Sequence, residues 1–314
     1  MIYILLLISL FAAELIYFRI ADYFNIIDKP NQRSSHTQVT LRGGGIIFYI
    51  GILFYFALEG FQYPWFFVGL SMITLVSFAD DIKPRPARIR LLVHFSAMLL
   101  IFYQWNLFEF TWYYTILALV ICTGILNAYN FMDGINGITG GYSLVIVVAL
   151  WYINSYKITF IDSNLIYCLI LALIVFDFFN FRKKAKCFAG DVGSISVAFI
   201  LLFLLGKLIL FTNDFSYIIL LAVYGVDSVL TIIHRLILKE NIFEPHRKHL
   251  YQLLANELKL PHLFVSSMYM MLKGLIAFGL FLVENRLVYS IVVIVILIFL
   301  YILLKKKYYY LHKA

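Results

Sequence analysis

The stretch Gly193-Ser-Ile-Ser-Val-Ala-Phe-Ile-Leu-Leu-Phe-Leu-Leu-Gly-Lys-Leu-Ile-Leu-Phe211 is apolar throughout, with Lys207 its single charge. A helix rising about 1.5 Å per residue needs roughly 20 such residues to cross the ~30 Å hydrocarbon core of a bilayer. Inside lipid the backbone must satisfy its own hydrogen bonds, so a run of this kind reads as a transmembrane helix. No alternation of the barrel type accompanies it. Outward from this stretch the pattern repeats: 63% of the 314 residues are hydrophobic and 13% charged, too little polar surface to wrap a water-soluble globule. Eleven candidate spans follow, at about 2–18, 43–59, 65–79, 91–103, 112–126, 141–155, 164–180, 193–211, 216–235, 263–283 and 288–304. The expected fold is all-α, a single polytopic transmembrane domain over 1–314 with 10–11 helices. The first run has no basic residue before it and no small-residue cleavage pattern after it, and reads as a retained helix.

Alternate connections differ sharply in charge. The segments 19–42, 80–90, 181–192, 235–262 and the tail after 304 hold 21 of the 25 Lys and Arg, and 127–140 shares their side without contributing any. The positive-inside rule makes that side cytoplasmic, with the amino terminus outside and the carboxyl terminus inside a plasma (inner) membrane. The net charge of +8 is thereby assigned to topology, and no nucleic-acid partner is expected. Cys122, Cys168 and Cys187 form no C-x-x-C pair, so neither a disulfide framework nor a zinc site is expected.

Asp, Asn and His sort to the same side, independently of Lys and Arg. Phe78-Ala79-Asp80-Asp81-Ile82-Lys83-Pro84 ends a span with paired carboxylates and leads into Arg85, Arg88 and Arg90, a composition suited to a divalent metal beside a phosphorylated ligand, or to a helix end meeting water. In 127–141 Asn127, Asn130 and Asp133 fall three apart along one helical face, followed by Gly134, Asn136, Gly137, Gly140 and Gly141. Their polarity exceeds what a turn needs and cannot be topological, since the segment has no Lys or Arg. Phe188-Ala189-Gly190-Asp191-Val192-Gly193-Ser194 sets a carboxylate at a helix start, where backbone N–H groups face an anion or where Asp191 is simply a cap. His246, Arg247 and His249, with Glu244, Pro245, Tyr251 and Gln252, crowd the one long polar connection and suit phosphate or sugar hydroxyls. Asn31, Arg33, Ser34, Ser35, His36 and Thr37 lead through Thr40 and Arg42 into Gly43-Gly44-Gly45, a second anion cradle. Within spans, Asp177 and Asp227 default to function or to pairing with Lys207 or a Tyr.

In this order and on one face, these motifs resemble the polyprenyl-phosphate N-acetylhexosamine-1-phosphate transferase family, over about residues 28–252. The resemblance implies transfer of a sugar 1-phosphate from a UDP-sugar to undecaprenyl phosphate, release of UMP, and a magnesium or manganese cofactor. It implies catalytic roles for Asp80, Asp81 and Asp133, metal ligation by Asp191 with Asp80, and stacking of uracil on Phe188. Substrate contacts would come from Asn130, Asn136, Asn180, His246, Arg247, His249, Arg42 and Thr40. Beyond the UDP-sugar, undecaprenyl phosphate and the bilayer, a second copy of the chain is a possible partner.

Three departures bear on this reading. The family's D-G-x-D-G is Asp133-Gly-Ile-Asn136-Gly, which removes position 136 from proton transfer; the spacing from Asn180 to Phe188 is one residue long; and the late motif is H-R-K-H. The last sets the chain apart from the branch that uses UDP-muramoyl-pentapeptide and favours the branch that primes O-antigen, capsule or wall glycans, commonly with UDP-N-acetylglucosamine; another UDP-N-acetylhexosamine such as a 6-deoxy sugar, or phospho-MurNAc-pentapeptide, is the alternative. A transporter would instead place its polar residues near mid-membrane in broken helices. A prenyltransferase would space its aspartates, and a scaffold would leave 127–141 unexplained.

Overall fold

The computed structural model describes residues 1–30, 35–36, 38–242 and 246–308. The positions Asn31, Gln32, Arg33, Ser34, Thr37, Phe243, Glu244 and Pro245, and everything after 308, lie outside the described residues.

The elements in order are α1 (Ile2–Tyr23), β1 (Ile27–Asp28), β2 (Thr40–Leu41), α2 (Ile46–Glu59), α3 (Pro64–Ile82), α4 (Ala87–Gln104), α5 (Trp112–Met132), α6 (Ile138–Tyr156), α7 (Ser163–Asn180), α8 (Gly190–Thr212), α9 (Ala222–Ile237), α10 (Leu250–Gln252), α11 (His262–Leu282) and α12 (Arg286–Tyr308). A 3-10 segment, Phe215–Leu221, runs directly into α9, and together they make one span, Phe215–Ile237. Among the described residues ten helices are long and apolar enough to cross a bilayer, and α2 is a shorter apolar helix of 14 residues. The chain is a multi-pass helical membrane protein. The only sheet among the described residues is the two-residue antiparallel pair of β1 and β2, with Asp28 opposite Thr40.

The stretch that opened the reading is the middle of the molecule. Every residue of α8 from Val192 to Leu205 is buried, as expected of a helix apolar all round. It is packed by α3, α5 and α2, while α6 joins α7 to α11. Aromatic faces fill the interfaces: Phe66 of α3 stacks on Phe203 of α8 at 4.0 Å, and Tyr142 of α6 on Tyr224 of α9 at 3.8 Å. Where α2 meets α8, backbones nearly touch. A Cβ on Gly45 would lie 2.3 Å from Gly193 Cα, so both positions require glycine, as close helix crossings in lipid do.

Hydrogen bonds at the two ends of the bundle establish the alternation. At one end Tyr3 and Glu59 both meet Asn164, Tyr55 meets Asp162, and Arg286 pairs with Asp214. These contacts join the starts of α1, α7 and α12 to the ends of α2 and α8. At the other end the ends of α3, α5 and α7 meet the starts of α2, α8 and α11, through Asp81 with Val192, Asn130 with Ser194, Asn180 with Gly137, Gly45 with Ala189 and Ser266 with Asn136. The crossing pattern expected from the charge count is therefore the packing pattern.

Candidate active site

The first turn of α8 organises this end. Gly190 has φ +71°, a left-handed conformation natural to glycine, and starts the helix so that Asp191 projects beside the ends of α3 and α4. Asp191 Oδ1 accepts from Arg42 Nη2 at 3.1 Å and its Oδ2 from Arg90 Nη1 at 3.1 Å. The same Arg90 nitrogen lies 2.9 Å from Asp80 Oδ2, and Arg42 Nε lies 2.7 Å from Asp81 Oδ1. Three carboxylates and two guanidiniums thus alternate, Asp80–Arg90–Asp191–Arg42–Asp81. The three connections that supply them, 19–42, 80–90 and 181–192, are remote in sequence.

Beside this ladder is a cavity of about 360 Å³ lined by Asp28, Ser35, His36, Arg42, Asn130, Asp133, Gly134, Ile135, Asn136, Asn180, Phe188, Gly190, Asp191, Gln252 and His262. Seven of the positions expected from sequence therefore share one chamber: Arg42, Asn130, Asp133, Asn136, Asn180, Phe188 and Asp191. Asn130 approaches α8 directly, with Ser194 Oγ 2.9 Å from its Oδ1. Asn127, expected on the same face, instead donates to Thr123 O of its own helix. Asp133 ends α5, and burial pushes its carboxyl up to about 7, into the range where it can hold or release a proton near neutrality.

Two cavity amides are also fasteners. Asn180 Oδ1 accepts from Gly137 N and its Nδ2 donates to Cys187 O, both at 2.7 Å. Asn136 Nδ2 donates to Arg182 O at 2.8 Å, and Ser266 Oγ donates to Asn136 O at 2.8 Å. They tie 134–137, 181–187 and α11 together around the chamber. The long spacing before Phe188 is accommodated by backbone pairing: Phe188 N donates to Leu41 O at 2.8 Å and Gly44 N to Phe188 O at 2.9 Å. The Phe188 ring meets His36 at 4.7 Å edge-on.

The late motif sits elsewhere. His246, Arg247 and His249 are not among the cavity lining, though Gln252 of the same segment is. His249 is buried, its Nδ1 3.3 Å from Asp227 Oδ1. Asp227 also accepts from Leu250 N at 2.9 Å, Tyr251 N at 3.4 Å and Tyr269 Oη at 2.7 Å. The intramembrane Asp227 is thus an anchor that caps α10 and holds Gln252 toward the chamber. Burial, then His249 and Arg235, push the His246 imidazole down to about 3, so it is neutral. Arg247 pairs with Glu257 at 3.3 Å. Thr40 donates to Gln38 O and lies outside the lining, whereas its strand partner Asp28 is in it. Lys207 lies over the Tyr63 ring rather than beside Asp177, which packs against Gly140.

Sequence reasoning did not single out Asp28 or His262, nor Gln252 as a wall of the site. Gln252 stood in a quoted motif, but only the α10 cap turns it inward. His262 carries no signal in sequence and arrives through the packing of α11 on α6.

The donor set can be tested against a divalent ion. Asp80 Oδ2 and Asp191 Oδ2 converge on one guanidinium nitrogen, as two carboxylates do on a shared cation. Hard carboxylate oxygens that converge in this way fit magnesium or manganese. Among the described residues no group of three His, Cys, Asp or Glu forms a complete cage.

A polytopic helical bundle with a chamber at one face lined by Arg42, carboxylates and amides defines a class of membrane protein with a polar site at the end of its spans. Within it, the family model described as glycosyl transferase family 4 matches residues 63–209. A probable undecaprenyl-phosphate N-acetylglucosaminyl 1-phosphate transferase of Bacillus subtilis (strain 168) is 27% identical over 256 residues, 74% of this chain and 70% of that protein. The undecaprenyl-phosphate alpha-N-acetylglucosaminyl 1-phosphate transferase of Salmonella typhi is 27% identical over 282 residues (79% and 75%), and that of Escherichia coli (strain K12) 26% over 288 (80% and 75%). Over residues 63–209 the chain is thus similar to glycosyl transferase family 4, and its relatives carry the resemblance that its motifs pointed to.

Proposed function

We propose that the chain transfers N-acetylglucosamine 1-phosphate from UDP-N-acetylglucosamine to undecaprenyl phosphate, releasing UMP, as the priming step of a surface or wall glycan. The observation that carries this is the chamber itself: one wall is the Arg42–Asp191 junction, suited to a diphosphate, and another is the Phe188 ring, suited to a base. The names of the relatives support the sugar and the lipid. The excess of basic residues at this end supports a cytoplasmic chamber in an inner membrane.

The reaction is an in-line displacement. An oxygen of the lipid phosphate bonds to the β-phosphorus of the donor, and the bond between that phosphorus and the UMP oxygen breaks. Positioning and charge neutralisation supply most of the acceleration in such transfers. Arg42 faces the charge that develops on departing UMP, and Arg90 is joined to it through Asp191. Asp133 takes whatever proton the lipid phosphate retains, and Asn130 orients the donor beside it. Asp191 and Asp80 would hold a magnesium ion, which when bound supplies Lewis-acid neutralisation of the diphosphate.

The test is mass spectrometry of the lipid product from purified protein given undecaprenyl phosphate, magnesium and a panel of UDP-sugars. The reading predicts a mass increase of one N-acetylhexosamine phosphate with UDP-N-acetylglucosamine. Product formed only from UDP-muramoyl-pentapeptide would overturn the choice of donor.

A further inference from the structure

A helix start leaves N–H groups without intrahelical partners, and these favour a negative charge. In α8 the residue at the cap position is Ala189, which has no side chain to supply it. The cap comes instead from another helix. Asp81, next to last in α3, accepts from Asp191 N at 2.9 Å on Oδ1 and from Val192 N at 3.0 Å on Oδ2. Its Oδ1 also meets Arg42 Nε at 2.7 Å, and the same Arg42 reaches Asp191 Oδ1 at 3.1 Å. The Asp81 side chain has no exposed surface and does not line the chamber. Even the space beside it is taken, since a Cβ on Gly190 would fall 2.4 Å from Asp81 Oδ2.

The adjacent aspartates differ in what they hold. Asp80, also outside the chamber lining, accepts from Arg85 N at 2.6 Å on Oδ1 and meets on Oδ2 the Arg90 nitrogen that it shares with Asp191. Asp81 has both oxygens committed to the start of α8. We infer that Asp81 is a positioning residue, not a catalytic one: it is a helix cap supplied by α3 that fixes the backbone of Asp191 directly and its carboxylate through Arg42. This rests on the proposed role of Asp191 in the transfer reaction.

The experiment uses the purified full chain as wild type, Asp81→Asn, Asp81→Ala and Asp191→Asn. It measures kcat and KM for UMP release, and Mn²⁺ affinity by electron paramagnetic resonance. An asparagine keeps one acceptor for the Asp191 N–H but turns an amino group toward Val192 N–H. The inference predicts that Asp81→Ala lowers kcat and Mn²⁺ affinity by roughly 10- to 100-fold, the range for groups that orient a metal ligand. The donor KM should stay within about threefold, and Asp81→Asn should recover to within about tenfold of wild type, one lost hydrogen bond to a charge. The inference is overturned if Asp81→Asn is as inactive as Asp81→Ala, or loses Mn²⁺ as fully as Asp191→Asn. If Asp81→Ala yields no folded protein, the comparison of Asp81→Asn with Asp191→Asn decides alone. Unchanged Mn²⁺ affinity in Asp191→Asn would contradict the metal assignment of the proposed function, a separate failure.

Discussion

At the scale of single residues, Asp133 is the chamber carboxylate that burial brings into the neutral range. Its carboxyl is raised by burial from the ordinary 3.8 to about 7. In the proposed role of proton acceptor it acts only when ionised, so UMP release should rise with pH through about 7 and level off above. Asp133→Asn should flatten that limb and lower turnover by roughly 10²- to 10⁴-fold, the usual contribution of a positioned base. The sign for stability is opposite. A carboxyl whose folded pKa exceeds its unfolded one favours folding below the unfolded value and loses that contribution as pH rises through the folded one. Thermal unfolding in detergent should show Asp133→Asn gaining on wild type between pH 5 and 8. A gap that narrows with rising pH would refute the burial argument.

Residue identities were legible where composition alone made them odd. Asp80, Asp81, Asn130, Asp133 and Asp191 could be picked out because a topology argument had no use for them. The division of labour between Asp80 and Asp81 was not legible, because it depends on which oxygen meets which N–H across two helices. Nor was the double duty of Asn136 and Asn180, whose amides look like ligand contacts until their backbone partners are seen.

At the scale of elements, the chamber depends on two joints. One is the α2–α8 crossing at Gly45 and Gly193, and Gly45→Ala should be poorly tolerated. A methyl 2.3 Å from a neighbouring Cα cannot be accommodated without separating the helices. That separation would shift Arg42 and Asp191 apart, so activity should fall more than expression does, read by size-exclusion yield against UMP release. The other joint is Asp227, which binds His249, Leu250, Tyr251 and Tyr269. Asp227→Ala leaves several buried donors without their acceptor and should cost about 3–5 kcal/mol, the range for breaking a buried charged pair. Limited proteolysis should then cut within 239–260, and a wild-type digestion pattern would count against the anchor. From sequence Asp227 was open to function or to pairing; what fixed it was the fold-back of α10, a tertiary event no local pattern reports.

At the scale of the whole molecule, the span count survived because hydrophobic length is a local property, and ten of the eleven runs became full-length helices. The exception, α2, is short because its first turn is given over to the Gly43–Gly45 approach to α8. Arginine and lysine counts ordered the connections, and the end contacts Tyr3–Asn164 and Arg286–Asp214 agree with that order. The proposed cytoplasmic placement of the chamber predicts that single cysteines at Lys83 or Lys184 in an otherwise cysteine-free chain are shielded from an impermeant maleimide in intact cells. Cysteines at Asn106 or Asn285 should be labelled. The reverse pattern would invert the protein in its membrane.

The central claim is that the face gathering Asp80, Asp133 and Asp191 is a reaction surface for a UDP-sugar and a lipid phosphate. It is tested most directly by measuring UMP release from UDP-N-acetylglucosamine by the purified protein in detergent, with and without undecaprenyl phosphate, and with magnesium or excess chelator. The account predicts release only when lipid phosphate and magnesium are both present, and its loss in Asp191→Asn. Absence of UMP from folded protein under the complete condition, or equal release without the lipid, would contradict it.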